Sequence, residues 1–540
     1  MSFAKRLQKN YLYEKIPRNM KKLAGFLLAA LSLAAAVACQ SADPLVVRTT
    51  NGPIKGYIDE DTGVLAFKGV PYAKVERFMP PLPVDKWEEV RICDQWGPQA
   101  MQGGRLSDDG TKMSEDCCVL NVWTQSLDGK KPVMFWCHGG GFDSGTSAWN
   151  PGMGLATKDV VVVSINHRLN ILGFLDLSSC GEKYRYSGNV GMLDIVAALE
   201  WVRDNIGKFG GDPDNVTVFG ESGGGGKVGT LMCMPSAKDL FHKAIIMSGT
   251  ILNVNTKEIT RELGAAVLSE LGISPDEVER INDVPYDRLY AAGQEALAKS
   301  IGRRTPGTPM MWGFGPTPDG EILEKQPFQP DFSDFSADKP LVIGTTFNEL
   351  QRPQYDKEMT LEEAANAVRP VFSGDTEGYA SAFAEAWPDF IPQDLPSVDW
   401  LFRPKTIITA DAASISMRAP VYNYMFTWKS PVTGVSAHGA ELNFCFDTLQ
   451  LAENDCPAPT DEDRGVAEHM SQSWANFAHT GNPNVTGLPE WHPYTEENGE
   501  CFIFDRSCSV RNNFDRSLAS YINAHCFRQL DAFRKTGSLK

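Results

Sequence analysis

The stretch V-F-G-E-S-G-G-G-G-K-V, from Val218 to Val228, lies between a strand-like run and a helix-like run of the chain. A glycine-rich turn in this position suits three kinds of site: a loop that binds phosphate, a turn that binds a dinucleotide, or the sharp elbow that presents a nucleophilic serine. Each kind requires particular residues elsewhere, so the surrounding sequence decides between them.

A phosphate-binding loop has the pattern G-x-x-x-x-G-K-[ST], in which the last hydroxyl binds magnesium. If Gly226 and Lys227 were its G-K pair, the first glycine would fall at Glu221 and the hydroxyl at Val228. Both ends of the pattern fail, so the sequence excludes this alternative.

A dinucleotide-binding turn has the pattern G-x-G-x-x-G, which 224–229 satisfies. That site also needs an acidic residue at the end of the following strand, where it holds the ribose. The next strand-like run ends in M-S-G at 247–249 and offers no carboxylate. This alternative fails too.

The remaining pattern is G-x-S-x-G, which 220–224 matches as G-E-S-G-G. Small flanking residues allow the tight turn that exposes Ser222 at the start of a helix. An elbow of this kind works with backbone N–H donors that stabilise a developing oxyanion. The glycine-rich H-G-G-G-F at 138–142 follows a strand-like run, and we therefore expect the amides of Gly140, Gly141 and Gly223 to be those donors.

The elbow also needs an acid and a histidine, in the chain order serine, acid, histidine. Five of the eight histidines lie from residue 438 onward, and the loop position of His438 after a strand makes it the favourite. Glu349 follows another strand-like run and is a candidate acid. The spacing alone does not exclude Asp411.

Short apolar runs alternate with helical periodicity along most of the chain. This pattern predicts an α/β protein with a mostly parallel central sheet and helices on both faces. The principal predicted strands are 132–137, 160–165, 216–219, 244–247, 340–344 and 421–428. Helical patterns cover 193–206, 256–298 and 361–387.

The composition and the residue spacing exclude some classes of function. The 540 residues carry a formal net charge of −17, which argues against nucleic-acid binding because that binding depends on Lys and Arg at phosphates. The cysteines and histidines show no zinc spacing, so no metal site is predicted. No cofactor is implied either. Oligomeric state is not readable from the sequence.

The N-terminal region resembles an export signal. Basic residues after Met20 precede an apolar, small-residue run at 23–38, and Met20 is the expected translation start. Cys39 follows A-V-A directly, as the lipidated cysteine of a bacterial lipoprotein would, although A-V-A also suits ordinary signal peptidase. We expect an exported protein of the cell envelope, periplasm or medium, with any membrane attachment limited to a lipid on Cys39.

Several motifs in order resemble the type-B carboxylesterase family, which includes cholinesterases and bacterial esterases. The resemblance runs from about residue 45 to the C-terminus. The motifs are F-K-G-V-P-Y-A at Phe67, S-E-D-C at Ser114, F-G-G-D-P-D-N-V-T-V-F-G-E-S-G-G at Phe209, M-S-G at Met247, F-N-E at Phe347, H-G-A-E-L at His438 and W-A-N-F-A-H-T-G-N-P-N at Trp474.

The resemblance implies the α/β-hydrolase fold and a serine carboxylesterase. A single catalytic domain would span 43–540, after an export region at 1–38, with helical insertions over the active site around 251–338 and 350–420. Small-molecule esters would be the substrates.

The resemblance also implies roles for individual residues. Ser222 would be the nucleophile, His438 the general base and acid, and Glu349, rather than Asp411, the acid that orients the imidazole. Glu221, beside the nucleophile, and Ser248, near the histidine, would support them.

The sequence departs from the family at two positions. Gly223 stands where alanine usually follows the nucleophile, which suggests a looser turn. Cys117 lacks its usual disulfide partner, because Ala100 replaces the cysteine of G-P-x-C. No disulfide is therefore predicted.

Two other functions are compatible with the fold. One is a catalytically inactive binding or adhesion protein, which such folds also provide. The other is an amide or thioester hydrolase with the same three residues. Because every candidate position is occupied, ester hydrolysis is our principal hypothesis.

Overall fold

The computed structural model describes residues 43–103, 111–251, 253–301, 313–327, 333–351, 358–369, 372 and 375–525. The chain divides into two compact units, Met1–Val47 and Arg48–Lys540, and the features described below lie in the second, apart from the first two residues of the strand Val46–Arg48. The export region 1–38 and Cys39 lie outside the described residues. The hypotheses about them, and the domain limits given above, remain predictions.

Strands predicted from apolar runs are all present, and others join them. Most of these strands are short and contain β-branched or aromatic residues, which favour strand structure. The strands are β1 (Val46–Arg48), β2 (Pro53–Lys55), β3 (Tyr57–Ile58), β4 (Leu65–Pro71), β5 (Arg91–Ile92), β6 (Gln99–Ala100), β7 (Met113–Ser114), β8 (Val119–Thr124), β9 (Lys131–Cys137), β10 (Val161–Ile165), β11 (Gly211–Glu221), β12 (Lys243–Met247), β13 (Leu341–Thr346), β14 (Val421–Phe426), β15 (Glu500–Phe504) and β16 (Ser509–Asn512).

Eleven strands form the central sheet, in the order β16-β15-β14-β13-β12-β11-β9-β10-β8-β4-β3. The seven strands from β15 to β10 run parallel, and antiparallel strands extend the sheet at both edges. Every residue of β8, β10, β13 and β14 is buried, so both faces of the sheet are covered. This confirms the predicted architecture.

Five helices of the described residues lie in the regions predicted from helical periodicity, 193–206, 256–298 and 361–387, and the others lie outside these regions. The helices are α1 (Met153–Ala156), α2 (Asn170–Phe174), α3 (Val190–Asn205), α4 (Gly223–Leu231), α5 (Lys257–Leu271), α6 (Tyr286–Ile301), α7 (Leu361–Val368), α8 (Thr376–Ala386), α9 (Arg403–Ser416), α10 (Leu442–Cys445) and α11 (Asp461–Thr480). None of the helices in the described ranges is long and apolar enough to cross a membrane.

Local sequence signals set the ends of several helices. The Thr460 hydroxyl accepts from the Asp463 N–H at the start of α11 and the Asp463 carboxylate accepts from the Thr460 N–H, forming a capping box. The helix ends at Gly481, whose φ of 77° is a left-handed conformation that favours glycine. The same type of ending occurs at Gly272 after α5.

A large core cluster rich in aromatic residues contains buried residues of β9, β11 and α11. Trp136 of β9 lies with its ring centroid 4.8 Å from Phe219 of β11 and 5.0 Å from Phe446. All three side chains are fully buried. Because β9 and β11 end at the glycine-rich loop and at the serine elbow, this packing fixes the two segments relative to each other.

Candidate active site

Ser222 occupies the turn between β11 and α4. Its φ of 56° and ψ of −123° are unusual for a residue with a side chain, and such strain is typical of a nucleophile elbow. The turn is held by two backbone hydrogen bonds: the Ser222 N–H donates to the Met247 carbonyl at 2.9 Å, and the Gly226 N–H donates to the Ser222 carbonyl at 3.0 Å. Ser222 is half-buried and so is not wholly enclosed by the protein.

Glycine next to the elbow allows a close approach of the backbone of β9. A Cβ on Gly224 would lie 2.0 Å from the carbonyl oxygen of Cys137, the last residue of that strand. Any side chain at this position would therefore push α4 away from the sheet. The requirement for glycine at 224 thus follows from packing.

The glycine-rich loop after β9 meets the elbow. Gly140 and Gly141 have φ values of 86° and 65°, which other residues rarely adopt. A Cβ on Gly223 would lie 2.1 Å from the Gly141 carbonyl oxygen. The expected looseness of the turn is therefore wrong, because backbone of the loop fills the space that alanine would need.

Two of the predicted donors, Gly141 and Gly223, meet at this contact, and Gly140 is the sequence neighbour of Gly141. Within the described part of the chain, the N–H groups of Gly140, Gly141 and Gly223 have no hydrogen-bond acceptor. Unpaired N–H groups at the start of a helix and in a glycine loop attract negative charge.

Glu349 and His438 come together through two loops at the ends of β13 and β14. The Glu349 side chain is fully buried, and its Oε2 contacts Nδ1 of His438 in a short hydrogen bond. The His438 backbone N–H also donates to the Glu349 carbonyl at 2.9 Å. The structure thus brings the predicted acid and histidine into direct contact.

The second oxygen of the Glu349 carboxylate has its own donors. Ser248 Oγ donates to Oε1 at 2.6 Å, and the Thr346 N–H donates to the same atom at 2.8 Å. Ser248 and Glu349 both have positive φ, 46° and 51°. The carboxylate is thereby fixed in one orientation, and Ser248 acts on it rather than on the imidazole.

Glu221 faces the other nitrogen of the imidazole. His438 Nε2 lies 3.2 Å from Glu221 Oε1, whereas Ser222 Oγ forms no hydrogen bond within the described residues. A histidine that accepts the serine proton would do so at Nε2, because Nδ1 is engaged by Glu349.

The carboxyl groups set the charge of the site. Burial lowers the pKa of His438, but the carboxylates of Glu349 and Glu221 outweigh burial and raise the pKa above its usual value. Burial also raises the pKa of Glu221, against the opposing effect of the His438 charge. The surroundings therefore favour the imidazolium, the form that a base acquires when it takes a proton.

Three neighbouring residues escaped the sequence analysis. The fully buried Glu441 has its Oε1 3.5 Å from Ser248 Oγ, and burial raises the Glu441 pKa well above its usual range. Phe402 stacks on the His438 ring, with centroids 4.9 Å apart. Asp399 accepts from the Phe402 N–H at 3.0 Å and so holds that residue. In the sequence, only the H-G-A-E-L motif, which contains Glu441, could have pointed to this residue.

The other candidates lie in different surroundings. The Asp411 carboxylate binds Tyr494 and Arg516, and Cys117 is a buried free thiol. The remaining late histidines have other partners or positions: His469 and His479 on α11, His492 beside Glu490 and Glu500, and His525 stacked on Tyr521.

Comparison with known proteins agrees with the geometry. The sequence matches the Carboxylesterase family over residues 43–371 and 396–520. The para-nitrobenzyl esterase of Bacillus subtilis is 36% identical over 493 residues, covering 87% of this chain and 96% of that protein. Carboxylesterase 1C of Mus musculus is 32% identical, covering 84% and 88%.

Solved structures show the same similarity. An esterase from Clostridium hathewayi, described as able to hydrolyse aliphatic aromatic polyesters, superposes with a TM-score of 0.80. It is 37% identical and covers 90% of this chain and 99% of its own. The fold is the α/β-hydrolase fold, and the chain belongs to the carboxylesterase family of ester hydrolases.

Proposed function

We propose that the protein hydrolyses carboxylic esters through a Ser222–His438–Glu349 triad and an acyl-enzyme intermediate. The observation that carries the proposal is the pairing of His438 Nδ1 with the buried Glu349 carboxylate, beside a serine held on a strained elbow. A partly exposed serine with an oriented base and nearby amide donors is the arrangement that acyl transfer requires.

In the acylation step, Nε2 of His438 takes the Ser222 proton as the oxygen attacks the ester carbonyl. Glu349 stabilises the resulting imidazolium and keeps Nδ1 protonated. The carbonyl oxygen becomes an oxyanion, for which the amides of Gly140, Gly141 and Gly223 are the donors. His438 then protonates the leaving alcohol, and the acyl group stays on Ser222.

In the deacylation step, water takes the place of the alcohol. His438 removes a proton from the water, the new tetrahedral intermediate uses the same donors, and the proton returns to Ser222 as the carboxylic acid leaves. The same groups thus serve both halves of the reaction, and no cofactor enters.

The proposed substrates are small-molecule carboxylic esters. Relatives named para-nitrobenzyl esterase and liver carboxylesterase, together with the polyester-hydrolysing neighbour, support aryl and benzyl esters as first compounds to test. Because amides and thioesters react through the same intermediate, matched ester, thioester and amide pairs define the bond that is cleaved.

The test is a pre-steady-state measurement with para-nitrophenyl butyrate on wild type and on Ser222→Ala. The proposal expects a burst of about one nitrophenolate per active site followed by slower turnover, and no burst from the variant. Full activity in Ser222→Ala would disprove the mechanism. A folded wild type without esterase activity would support the binding-protein alternative instead.

We further propose that residues 1–38 direct export and that Cys39 is the site of any lipid anchor. The basic start, apolar run and A-V-A-C sequence support this. Expression in a bacterial host with and without globomycin, followed by gel migration, tests the anchor. A precursor that accumulates with globomycin supports lipidation, and an unchanged pattern contradicts it.

A further inference from the structure

Lys227 is a charged residue wholly inside the protein. It lies on α4, one turn beyond Gly223, and its side chain has no exposed surface. Its Nζ donates to the carbonyl oxygen of His138 at 2.8 Å. That carbonyl belongs to the residue that immediately precedes the glycine-rich loop.

The surroundings of Lys227 do not compensate its charge. Among the described residues, no carboxylate oxygen lies within 4.0 Å of Nζ, and the face of the Phe142 ring is 5.7 Å away. Burial lowers the pKa of Lys227 to about 7, against the opposing effects of Cys137 and Glu221. Lysine is rarely buried without a partner because removing its charge from water is costly, so this position calls for a reason.

Two stacked histidines complete the surroundings. The rings of His138 and His167 are 5.3 Å apart, and burial, together with the Lys227 charge, lowers the pKa of both well below the usual value. Both rings are therefore neutral. The ionisable groups that face Lys227 are thus Cys137, Glu221, His138 and His167, and none of them is placed as an ion-pair partner.

We propose that Lys227 is a positioning residue of the oxyanion hole, which holds the base of the loop carrying Gly140 and Gly141 through the His138 carbonyl. The inference rests on the proposed function, because it concerns the same site. Lys227 touches neither substrate nor Ser222 in this role and acts through the loop.

The loop needs such an anchor because its glycines have no side chains to hold it. On its far side, the Asn170 N–H donates to the Phe142 carbonyl at 2.7 Å, and within the loop the Ser144 N–H donates to the Gly140 carbonyl at 3.0 Å. On its near side, the His138 carbonyl is held by Lys227. Oxyanion donors must be aimed to within a few tenths of an ångström, so loss of one anchor weakens the transition state more than the bound substrate.

The charge adds to this effect. Helical rise places the Lys227 backbone about 6 Å along α4 from Gly223, a candidate donor. When protonated, the amine contributes positive potential under the site where negative charge develops, in surroundings of low dielectric constant. The hydrogen bond persists in the neutral amine, so positioning does not depend on protonation.

The test compares Lys227→Met with wild type and with Thr230→Val. Methionine keeps the length of the side chain but has neither charge nor donor. Thr230 is a buried control on the same helix, whose hydroxyl donates to the Gly226 carbonyl at 2.8 Å without reaching the loop. Each protein is first titrated with a fluorophosphonate, so that rates refer to active sites.

With para-nitrophenyl butyrate, we expect Lys227→Met to lower kcat about 10- to 100-fold with KM changed less than about threefold. Inhibition by an alkyl trifluoromethyl ketone, which forms a tetrahedral adduct with serine, should weaken by the same factor as kcat/KM. Thr230→Val should leave kcat and the inhibition by the ketone close to their wild-type values. A general loss of stability would not lower kcat while KM stays nearly constant, so that pattern is specific to the loop anchor.

Wild-type kcat and unchanged ketone inhibition in Lys227→Met would overturn the inference. If that variant does not fold, Lys227→Leu, which also has neither charge nor donor, is measured in its place, and the same two outcomes apply. A wild type that the fluorophosphonate does not label would overturn the proposed function itself, so the two failures are distinguishable.

Discussion

Glu349 and His438 are joined twice, by a hydrogen bond between their backbones at 2.9 Å and by a second between their side chains. The first bond fixes the two loops relative to each other. With the loops held in this way, the side-chain hydrogen bond orients the imidazole without further movement of either loop. This double connection explains how an acid and a base 89 residues apart in sequence form one unit.

Replacement of the acid should disable the base. Glu349→Gln removes the charge that stabilises the imidazolium, and we expect kcat to fall about 10³- to 10⁴-fold while KM changes little. Steady-state kinetics with a para-nitrophenyl ester checks this.

Asp411→Asn is the matched control for that experiment. Its carboxylate binds Arg516 at 2.8 Å, so the variant should lose stability but keep its activity at permissive temperature. Strong loss of activity in Asp411→Asn, with Glu349→Gln active, would reverse the assignment of the acid.

Glu221 should control the pH at which the enzyme becomes active. The base must be neutral, so kcat/KM falls as pH decreases through the pKa of His438, and the Glu221 carboxylate helps to raise that pKa. Glu221→Gln removes this effect, so the acidic limb of the pH profile should move to lower pH by about one unit. An acidic limb that stays in place or moves to higher pH would show that Glu221 does not act on His438.

Gly223 should be necessary in this chain, although the family pattern that the sequence resembles has alanine at that position. Gly223→Ala would displace the Gly141 backbone, and we expect kcat to fall about 10- to 100-fold. Gly465→Ala is the control, because a Cβ there meets nothing within 4 Å on α11. Full activity of Gly223→Ala would mean that the loop can retract without cost.

The sequence predicts most of the sheet because its strands are buried on both faces and appear as continuous apolar runs. Among the six strands that were predicted, the largest difference concerns the start of β11, which is Gly211 rather than residue 216. The intervening D-P-D-N resembles a loop, and the pairing with β9 shifts register between Gly211 and Val216. An irregular strand of this kind has no periodic signal.

The candidate site is predicted less completely. Ser222 and the glycine loop lie in local motifs, because the tight turns there require glycine at fixed positions in the sequence. The choice of Glu349 over Asp411 depended on the family resemblance. The burial of Lys227 and the stacking of Phe402 on His438 arise from contacts between distant segments, which local patterns do not encode.

The most direct test of the central claim is the intact mass of the protein after reaction with a fluorophosphonate, for wild type beside Ser222→Ala. The account predicts a single adduct on wild type and none on the variant, because only an activated serine reacts quickly with this probe. Absence of an adduct on folded wild type, or an equal adduct on Ser222→Ala, would contradict the proposal that Ser222 is the nucleophile.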